Sequence, residues 1–307
     1  MIISIISPIY HCKDCLIPLY ERITQVVKTL EGITDYEIIF VEDCGQDGSW
    51  EMVEILANKD THVRGIQLSR NFGQHHSITA GIDLCKGDWA IVMDCDLQDR
   101  PEDIANLWKK AQEGYDIVNA RRQKRQDSLW KRTSSRLFHI IFEWLSGLSY
   151  DPQVANLRII NRKVISAYKS MRESSRSFGT QIHWLGFSTA YIDVSHNARY
   201  EGKSAYTFTK LIRLAIETII SYSNKPLRLS IGLGIAISFS AAFASIWIMI
   251  RVFYWGIPVE GWASLMISIW FLGGIIIANL GIIGLYIGKI YDETRKRPIY
   301  VISKRVN

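Results

Sequence analysis

The chain contains no Gly-x-Gly-x-x-Gly fingerprint, no P-loop signature, no internal repeat and no low-complexity segment. The missing glycine motifs disfavour dinucleotide oxidoreductases and P-loop enzymes, whose phosphate-binding turns depend on them. No basic region precedes the short apolar run at residues 1–6, and Pro8 follows that run closely. We therefore expect a first β-strand at this position and no signal peptide.

Cysteine is scarce, with five among 307 residues: Cys12, Cys15, Cys44, Cys85 and Cys95. Cys12 and Cys15 have Cys-x-x-Cys spacing, but neither a second pair nor a histidine cluster accompanies them. We interpret them as ordinary thiols rather than as a zinc or redox site. All five lie in the part of the chain that we expect to be cytoplasmic, where disulfides are rare.

Charge is almost missing from two long stretches: residues 227–250 contain only Arg228, and residues 262–288 contain none. Each stretch exceeds the roughly 20 residues that cross a bilayer as an α-helix, so two transmembrane helices are predicted. Basic residues flank these stretches at Lys225, Arg228, Lys289, Arg295, Lys296, Arg297, Lys304 and Arg305. The connecting loop, 252–261, carries only Glu260. The positive-inside rule therefore places both termini in the cytoplasm.

The net charge is +6. Because the basic residues flank the apolar stretches, this charge indicates membrane orientation and contact with anionic lipid rather than binding of nucleic acid. A further basic region at 121–150 has an apolar stripe that includes Trp130, Leu137 and Trp144, and residues 206–222 show a similar stripe. Such segments are typical of helices lying in a membrane interface. A core helix with a solvated basic face is the alternative.

Short apolar runs alternate with helical patterns through residues 1–120. Strands are predicted at 2–6, 36–41, 65–68, 89–93 and 116–118, and helices at 14–30, 49–58, 72–85 and 101–113. The alternation predicts a mostly parallel α/β sheet covered on both faces. Ligands of such sheets bind beyond the carboxyl ends of the strands, so one rim is expected to collect the polar residues that follow them.

Asp94 and Asp96 are the most informative residues on this rim, because they follow the apolar run Trp89–Met93 and are separated by one residue. Hard divalent cations such as Mg²⁺ or Mn²⁺ prefer carboxylate and phosphate oxygens. The pair is therefore a candidate to hold a metal-bridged diphosphate. An isolated Asp-x-Asp also occurs in surface turns by chance, so the buried strand and the two apolar stretches are needed to support this interpretation.

Three motifs precede the two apolar stretches in order: Ser69-Arg-Asn-Phe-Gly73, Met93-Asp-Cys-Asp-Leu-Gln-Asp99 and Arg199-Tyr-x-Gly-x-Ser204. Together they resemble polyprenyl-phosphate glycosyltransferases, the membrane-bound branch of glycosyltransferase family 2 that includes bactoprenol glucosyltransferases and dolichol-phosphate mannose synthases. The resemblance covers nearly the whole chain. It implies a GT-A (Rossmann-like) nucleotide-sugar domain, a divalent metal, Mg²⁺ or Mn²⁺, and an inverting single displacement onto a lipid phosphate.

The resemblance also assigns site residues. The nucleotide-sugar would contact Pro8, Tyr10, Glu42, Asp43, Asn71 and Asp94, with Asp43 at the base or ribose. Asp94 and Asp96 would hold the metal, and Gln98 would lie near the sugar or the leaving phosphate. Arg122, Arg136, Arg199 and Lys203 would anchor the acceptor phosphate. We add Arg158 to the acceptor phosphate site, and to Asp96 and Gln98 as a predicted catalytic residue, because it lies two positions from Asn156 on a predicted strand. Turn and cap chemistry after strands, and lipid-facing charge, are the alternatives for these residues.

One departure concerns Ala155-Asn-Leu-Arg-Ile159, where the family usually has Gly-Asp-Phe-Arg-Leu. Asn156 cannot accept a proton as an aspartate can, so no general-base role transfers to it. A phosphate monoester is largely dianionic at neutral pH and needs positioning more than deprotonation. Arg158, two positions further along the same predicted strand, shares a face with Asn156.

We therefore expect a multi-pass protein of the inner (plasma) membrane that transfers one sugar to undecaprenyl phosphate at the cytoplasmic face. The first candidate for the donor is UDP-glucose, which would supply glucose. The expected parts are a catalytic domain at 1–205, a juxtamembrane helix at 206–225, two spans within 226–288 and a basic tail at 289–307. Paired spans are compatible with a homo-oligomer. Open alternatives are another sugar (N-acetylhexosamine, mannose or an aminopentose) and a noncatalytic scaffold or flippase component. A processive polysaccharide synthase is disfavoured because the chain lacks Gln-x-x-Arg-Trp.

Overall fold

The computed structural model describes residues 1–122, 143–146, 153–194, 216, 219–221, 223–255 and 261–307. The strands are β1 (Ile2–Ile9), β2 (Asp35–Glu42), β3 (Val63–Leu68), β4 (Trp89–Val92), β5 (Ile117–Arg122), β6 (Val154–Asn161), β7 (Thr189–Val194) and β8 (Ile302–Val306). The helices are α1 (Leu16–Val27), α2 (Ser49–Lys59), α3 (Gln74–Leu84), α4 (Asp103–Ala111), α5 (Arg162–Ser170), α6 (Phe178–Trp184), α7 (Lys225–Trp255) and α8 (Trp262–Thr294). Every strand and helix predicted in the first 120 residues is present, with shifted ends.

The eight strands form one sheet in the order β7-β5-β6-β4-β1-β2-β3-β8. The pairs β1–β2, β1–β4, β2–β3 and β5–β7 are parallel. The pairs β4–β6, β5–β6 and β3–β8 are antiparallel. The sheet is therefore mixed but mostly parallel, as expected: six strands run in one direction, and only β6 and β8 among the described strands run in the opposite direction.

Two apolar layers cover the sheet. Side chains of α1, α2 and α4, such as Leu19, Val53 and Leu107, pack on one face. Those of α3, α5 and α6, such as Ile78 and Tyr168, pack on the other. Each fully buried aliphatic side chain stabilises the fold by about 1.5–3 kcal/mol. These layers hold the carboxyl ends of β1, β2 and β4 as a rigid rim.

Strand β8 closes the edge of the sheet next to β3, within the segment that the sequence predicts to be a basic tail. Gly65 of β3 is opposite Val306, and a Cβ on Gly65 would lie 2.6 Å from side-chain atoms of both Val306 and Val53. The amide of Asn307 donates to the carbonyls of Ala57 and Val63 at 2.6 and 3.1 Å. The chain end therefore covers an edge strand that would otherwise expose unpaired backbone groups.

Helices α7 and α8 belong to a second unit. Lys225–Arg251 and Ser268–Thr294 are each long and apolar enough to cross a membrane, with mean hydropathies of 2.1 and 2.0. Of the basic segment at 121–150, the structure describes Arg121 and Arg122, which end β5, and a helical turn at 143–146; the remainder and most of 206–222 lie outside the described residues.

Candidate active site

The Asp-x-Asp motif lies where β4 leaves the sheet. Met93 still donates its backbone N–H to Ile6, at 3.1 Å, and the chain then turns away. Leu97 adopts a left-handed conformation with φ of 57°, which non-glycine residues seldom take. The Asp96 carboxylate accepts the backbone N–H of Gln98 at 3.1 Å. This tight turn places Asp94 and Asp96 at the rim, as expected.

Asp94 is held by two neutral amide donors. The side-chain amide of Gln74 donates to it at 2.6 Å, and that of Asn156 donates to both carboxylate oxygens at 3.0 and 3.3 Å. Desolvation, followed by the negative charges of Asp99 and Asp96, raises the pKa of Asp94 to about 6. The site therefore contains mutually repelling carboxylates that a bound cation would stabilise.

The donor set fits a divalent metal that shares its coordination with a phosphate ligand. No group of three or more metal-ligating side chains is found among the described residues. Mg²⁺ is usually held by one or two carboxylates together with substrate phosphate oxygens, rather than by an all-protein cage. Asp94 and Asp96 would supply the carboxylate oxygens.

Arg122 ends β5 beside these carboxylates. Its Nη2 atom is 3.5 Å from Oδ1 of the buried Asp99, its side chain is 35% exposed, and its positive charge lowers the pKa of Asp94. Its Nε atom is buried and has no hydrogen-bonding partner among the residues that the structure describes. A half-exposed guanidinium with spare donors can bind an oxyanion, as proposed for the acceptor phosphate.

Arg158 is not at the surface, since it is only 4% exposed. Its guanidinium donates to the carbonyls of Ala155 and Asn156 at 3.2 and 3.4 Å, and it lies 5.0 Å from the centre of the Phe178 ring. Burial lowers its pKa to about 10, although the charge of Asp94 opposes this shift. Because Arg158 is buried, its position suits support of Asn156 and Asp94 better than direct contact with a lipid.

The residues assigned to the nucleotide divide into two groups. Tyr10 is 51% exposed and packs edge-on against His11 with ring centres 4.2 Å apart, and Asn71 is also exposed. Both are accessible to a ligand at the rim. Pro8, in contrast, is buried within β1 opposite Val41.

Glu42 and Asp43 are buried at 1% and 3% exposure and are engaged by the chain itself. Glu42 accepts from the backbone of Gly45 and from the side chain of Gln67. Asp43 accepts the backbone N–H groups of Phe72 and Gly73, both at 2.8 Å, which joins the end of β2 to the start of α3. The contacts of Glu42 and Asp43 are therefore those of the alternative interpretation, turn and cap chemistry. Both residues shape the rim on which Tyr10 lies.

Arg136, Arg199 and Lys203 lie outside the described residues. Gln74 and His75, in contrast, were not expected in the site. Gln74 contacts Asp94, and His75 accepts the backbone N–H of Phe178 at 3.4 Å. Both directly follow the Ser69–Gly73 motif, so their place in the chain was the only signal available.

Comparison with known proteins identifies the family of the chain. A family model described as glycosyl transferase family 2 matches residues 4–177. An undecaprenyl-phosphate 4-deoxy-4-formamido-L-arabinose transferase from Proteus mirabilis is 35% identical over 99% of this chain and 94% of its own length. A bactoprenol glucosyl transferase from Shigella phage SfX is 32% identical over 99% of this chain and 100% of its own.

A solved structure shows the same fold. Glucosyl-3-phosphoglycerate synthase from Mycobacterium tuberculosis, in complex with Mn²⁺, UDP and glucosyl-3-phosphoglycerate, has a TM-score of 0.52 and 15% identity, and the match covers 72% of this chain and 80% of that one. The eight-stranded sheet is thus of the GT-A type. The chain belongs to glycosyl transferase family 2 and is a glycosyltransferase.

Proposed function

We propose that the protein transfers a single sugar from a nucleotide-sugar to a polyprenyl phosphate at the cytoplasmic face of a membrane. The observation that carries the proposal is the carboxylate pair Asp94 and Asp96 at the end of β4, in a chain with two helices long enough to span a bilayer. Relatives similar over nearly their whole length are named as transferases acting on undecaprenyl phosphate or bactoprenol.

The donor is proposed to be a UDP-sugar. Tyr10, exposed beside the buried Glu42 and Asp43, offers an aromatic face for the base. UDP-glucose is the first candidate, supported by the relatives named glucosyl transferases. A UDP-linked formamido-arabinose is the second, supported by a relative of slightly higher identity. A divalent metal, Mg²⁺ or Mn²⁺, would neutralise the diphosphate as it leaves.

In the proposed reaction an oxygen of the lipid phosphate attacks the anomeric carbon of the sugar, and the bond from that carbon to the nucleotide diphosphate breaks with inversion. The acceptor needs no general base, because a phosphate monoester is largely dianionic at neutral pH. Asn156 holds the Asp94 carboxylate in place with its amide, and Arg122 supplies positive charge at the same rim. The chain's contribution is therefore positioning and charge stabilisation.

The orientation is proposed from charge. Lys289 and the basic residues at 295–297 follow the second apolar stretch, whereas the loop at 252–261 carries only Glu260, with Arg251 at its border. The positive-inside rule then leaves the active site on the side where nucleotide-sugars are made.

The donor can be identified with purified protein and a panel of radiolabelled nucleotide-sugars, each incubated with and without undecaprenyl phosphate. We expect label to enter the lipid fraction with one donor, only when the carrier and a divalent cation are present. Equal nucleotide release with and without the carrier would contradict transfer to lipid. Incorporation into a long polymer would indicate a processive synthase instead.

A further inference from the structure

Arg176 is a buried cation in the loop between α5 and α6. The residue is 7% exposed. Its Nη1 atom donates to the carbonyl of Met171 at 2.7 Å, and its guanidinium lies 4.8 Å from the centre of the Tyr168 ring. These contacts fix the side chain beneath its own loop.

Beyond its contacts with Met171 and Tyr168, Arg176 has two spare donor atoms among the described residues. Its Nε and Nη2 atoms are both buried without a hydrogen-bonding partner, and no carboxylate lies within ion-pair distance of it in the part of the chain that the structure describes. Nε and Nη2 are the two atoms whose parallel N–H bonds can grip a carboxylate or phosphate side-on. A buried cation left without an anion is strongly unfavourable, so the fork is complete only when an oxyanion occupies it.

A second buried guanidinium lies nearby. Arg158 stands 5.0 Å from the Phe178 ring, and this ring meets Tyr168 edge-on at 5.3 Å, so both cations border one aromatic pair. Desolvation, followed by the charges of His76, Arg158 and Arg176, lowers the pKa of the nearby His75 to about 4. His75 is thus neutral near pH 7. Asp94 is the carboxylate whose charge acts on Arg158.

The position of Arg158 favours the acceptor over the donor. Arg158 projects from β6, which lies on the opposite side of β4 from β1 and β2. The residues assigned to the nucleotide follow β1 and β2, and the metal-binding carboxylates follow β4 between the two sides. Arg158 therefore stands on the side of Asp94 away from the nucleotide, which favours the acceptor as the source of an anion bound near it.

We propose that Arg176, assisted by the charge of Arg158, binds the phosphate group of the lipid acceptor. This inference rests on the proposed function and adds to it a phosphate subsite on the α5–α6 loop. Because the fork atoms are shielded from solvent, the phosphate reaches them when residues 171–177 shift, and the loop closes on the bound group.

The test measures binding rather than turnover. Full-length protein in detergent is titrated with farnesyl phosphate, with the neutral farnesol as the matched ligand, for the wild type, Arg176→Gln and Arg176→Lys. Both variants should bind farnesyl phosphate about ten- to a hundredfold more weakly than the wild type, the loss expected for a charge-assisted hydrogen bond. Arg176→Lys is expected to lose affinity as well, because lysine keeps the charge but cannot form the fork. Farnesol and UDP should bind as before.

Arg172→Gln is the control variant, since Arg172 lies in the same loop but pairs with Asp83 at the surface. It should bind farnesyl phosphate like the wild type. Unchanged affinity in Arg176→Gln and Arg176→Lys would overturn the proposal. A selective loss of UDP binding would overturn the assignment to the acceptor, because the donor diphosphate would then be the anion.

A measurement on the wild type alone tests the proposal even if the variants fail to fold. Farnesyl phosphate, but not farnesol, should slow amide hydrogen exchange in residues 171–177, and equal exchange with both ligands would contradict the site. These results do not depend on catalysis. Failure of the proposed function would instead appear as a wild-type protein that transfers no sugar to any polyprenyl phosphate.

Discussion

Replacing Asn156 with aspartate would put a second carboxylate against Asp94, where the amide nitrogen now donates from 3.0 Å. Two unit charges about 4 Å apart interact with about 4 kcal/mol at an effective dielectric constant of 20, which corresponds to roughly 3 pKa units. The pKa of Asp94 is already raised to about 6. The pair is therefore expected to share a proton at neutral pH.

The assay is a pH–rate profile for sugar transfer at several concentrations of Mg²⁺. In Asn156→Asp, turnover near pH 7 should fall at least tenfold and should recover partly at higher pH or higher metal, because both conditions remove the shared proton. The restored carboxylate is thus expected to hinder this enzyme. A gain of about a hundredfold in turnover would refute the reasoning and show that a general base is needed.

Asn161→Asp is a matched control. Asn161 lies at the other end of β6 and donates its side-chain amide to Asp116 at 2.6 Å, so the variant creates the same carboxylate pair away from the site. It should lower stability without changing the pH profile of turnover. A profile altered as in Asn156→Asp would show that the effect is general to the strand.

Three further predictions follow from the site, the spans and a half-buried histidine. Asp96→Asn should abolish transfer while the protein stays folded and membrane-inserted, because an amide lacks the charge that holds the cation; near-normal activity, or full wild-type activity in excess chelator, would contradict the metal site. A cysteine at Gly256 should react with an impermeant thiol reagent from the periplasmic side and one at Ser303 should not, and the reverse pattern would overturn the orientation. The pKa of His75 is lowered to about 4, so the unfolded chain takes up its proton first and stability should fall as the pH drops from 6.5 to 4, by about 3 kcal/mol in full. Thermal unfolding should show this slope reduced in His75→Gln but not in His183→Gln, an exposed position, and equal slopes would refute the assignment.

The alternating strands and helices of residues 1–122 could be predicted from the sequence because each of these elements has its own local pattern. β8 could not, since Ile302–Val306 is short and contains Lys304 and Arg305. It becomes a strand only by pairing with β3, on which it forms the sheet edge. Such pairing depends on residues more than 200 positions away and leaves no periodicity to read.

The candidate site was predictable to the same extent. Asp94 and Asp96 lie at the rim because a buried strand ends directly before them. The contacts of Asp43 could not be read, since its partners Phe72 and Gly73 come from another loop. The burial of Arg176 was equally hidden, because an arginine between serines looks like a surface residue until Tyr168 is seen beneath it.

The central claim, that one sugar is transferred to a lipid phosphate, is tested most directly by the mass of the product. Purified protein is incubated with undecaprenyl phosphate, a divalent cation and the active nucleotide-sugar, and the extracted lipid is analysed by mass spectrometry. The account predicts a species equal to the carrier plus a single sugar residue, with one nucleoside diphosphate released per lipid modified. A carrier of unchanged mass despite nucleotide release, or a series of species bearing several sugars, would contradict it.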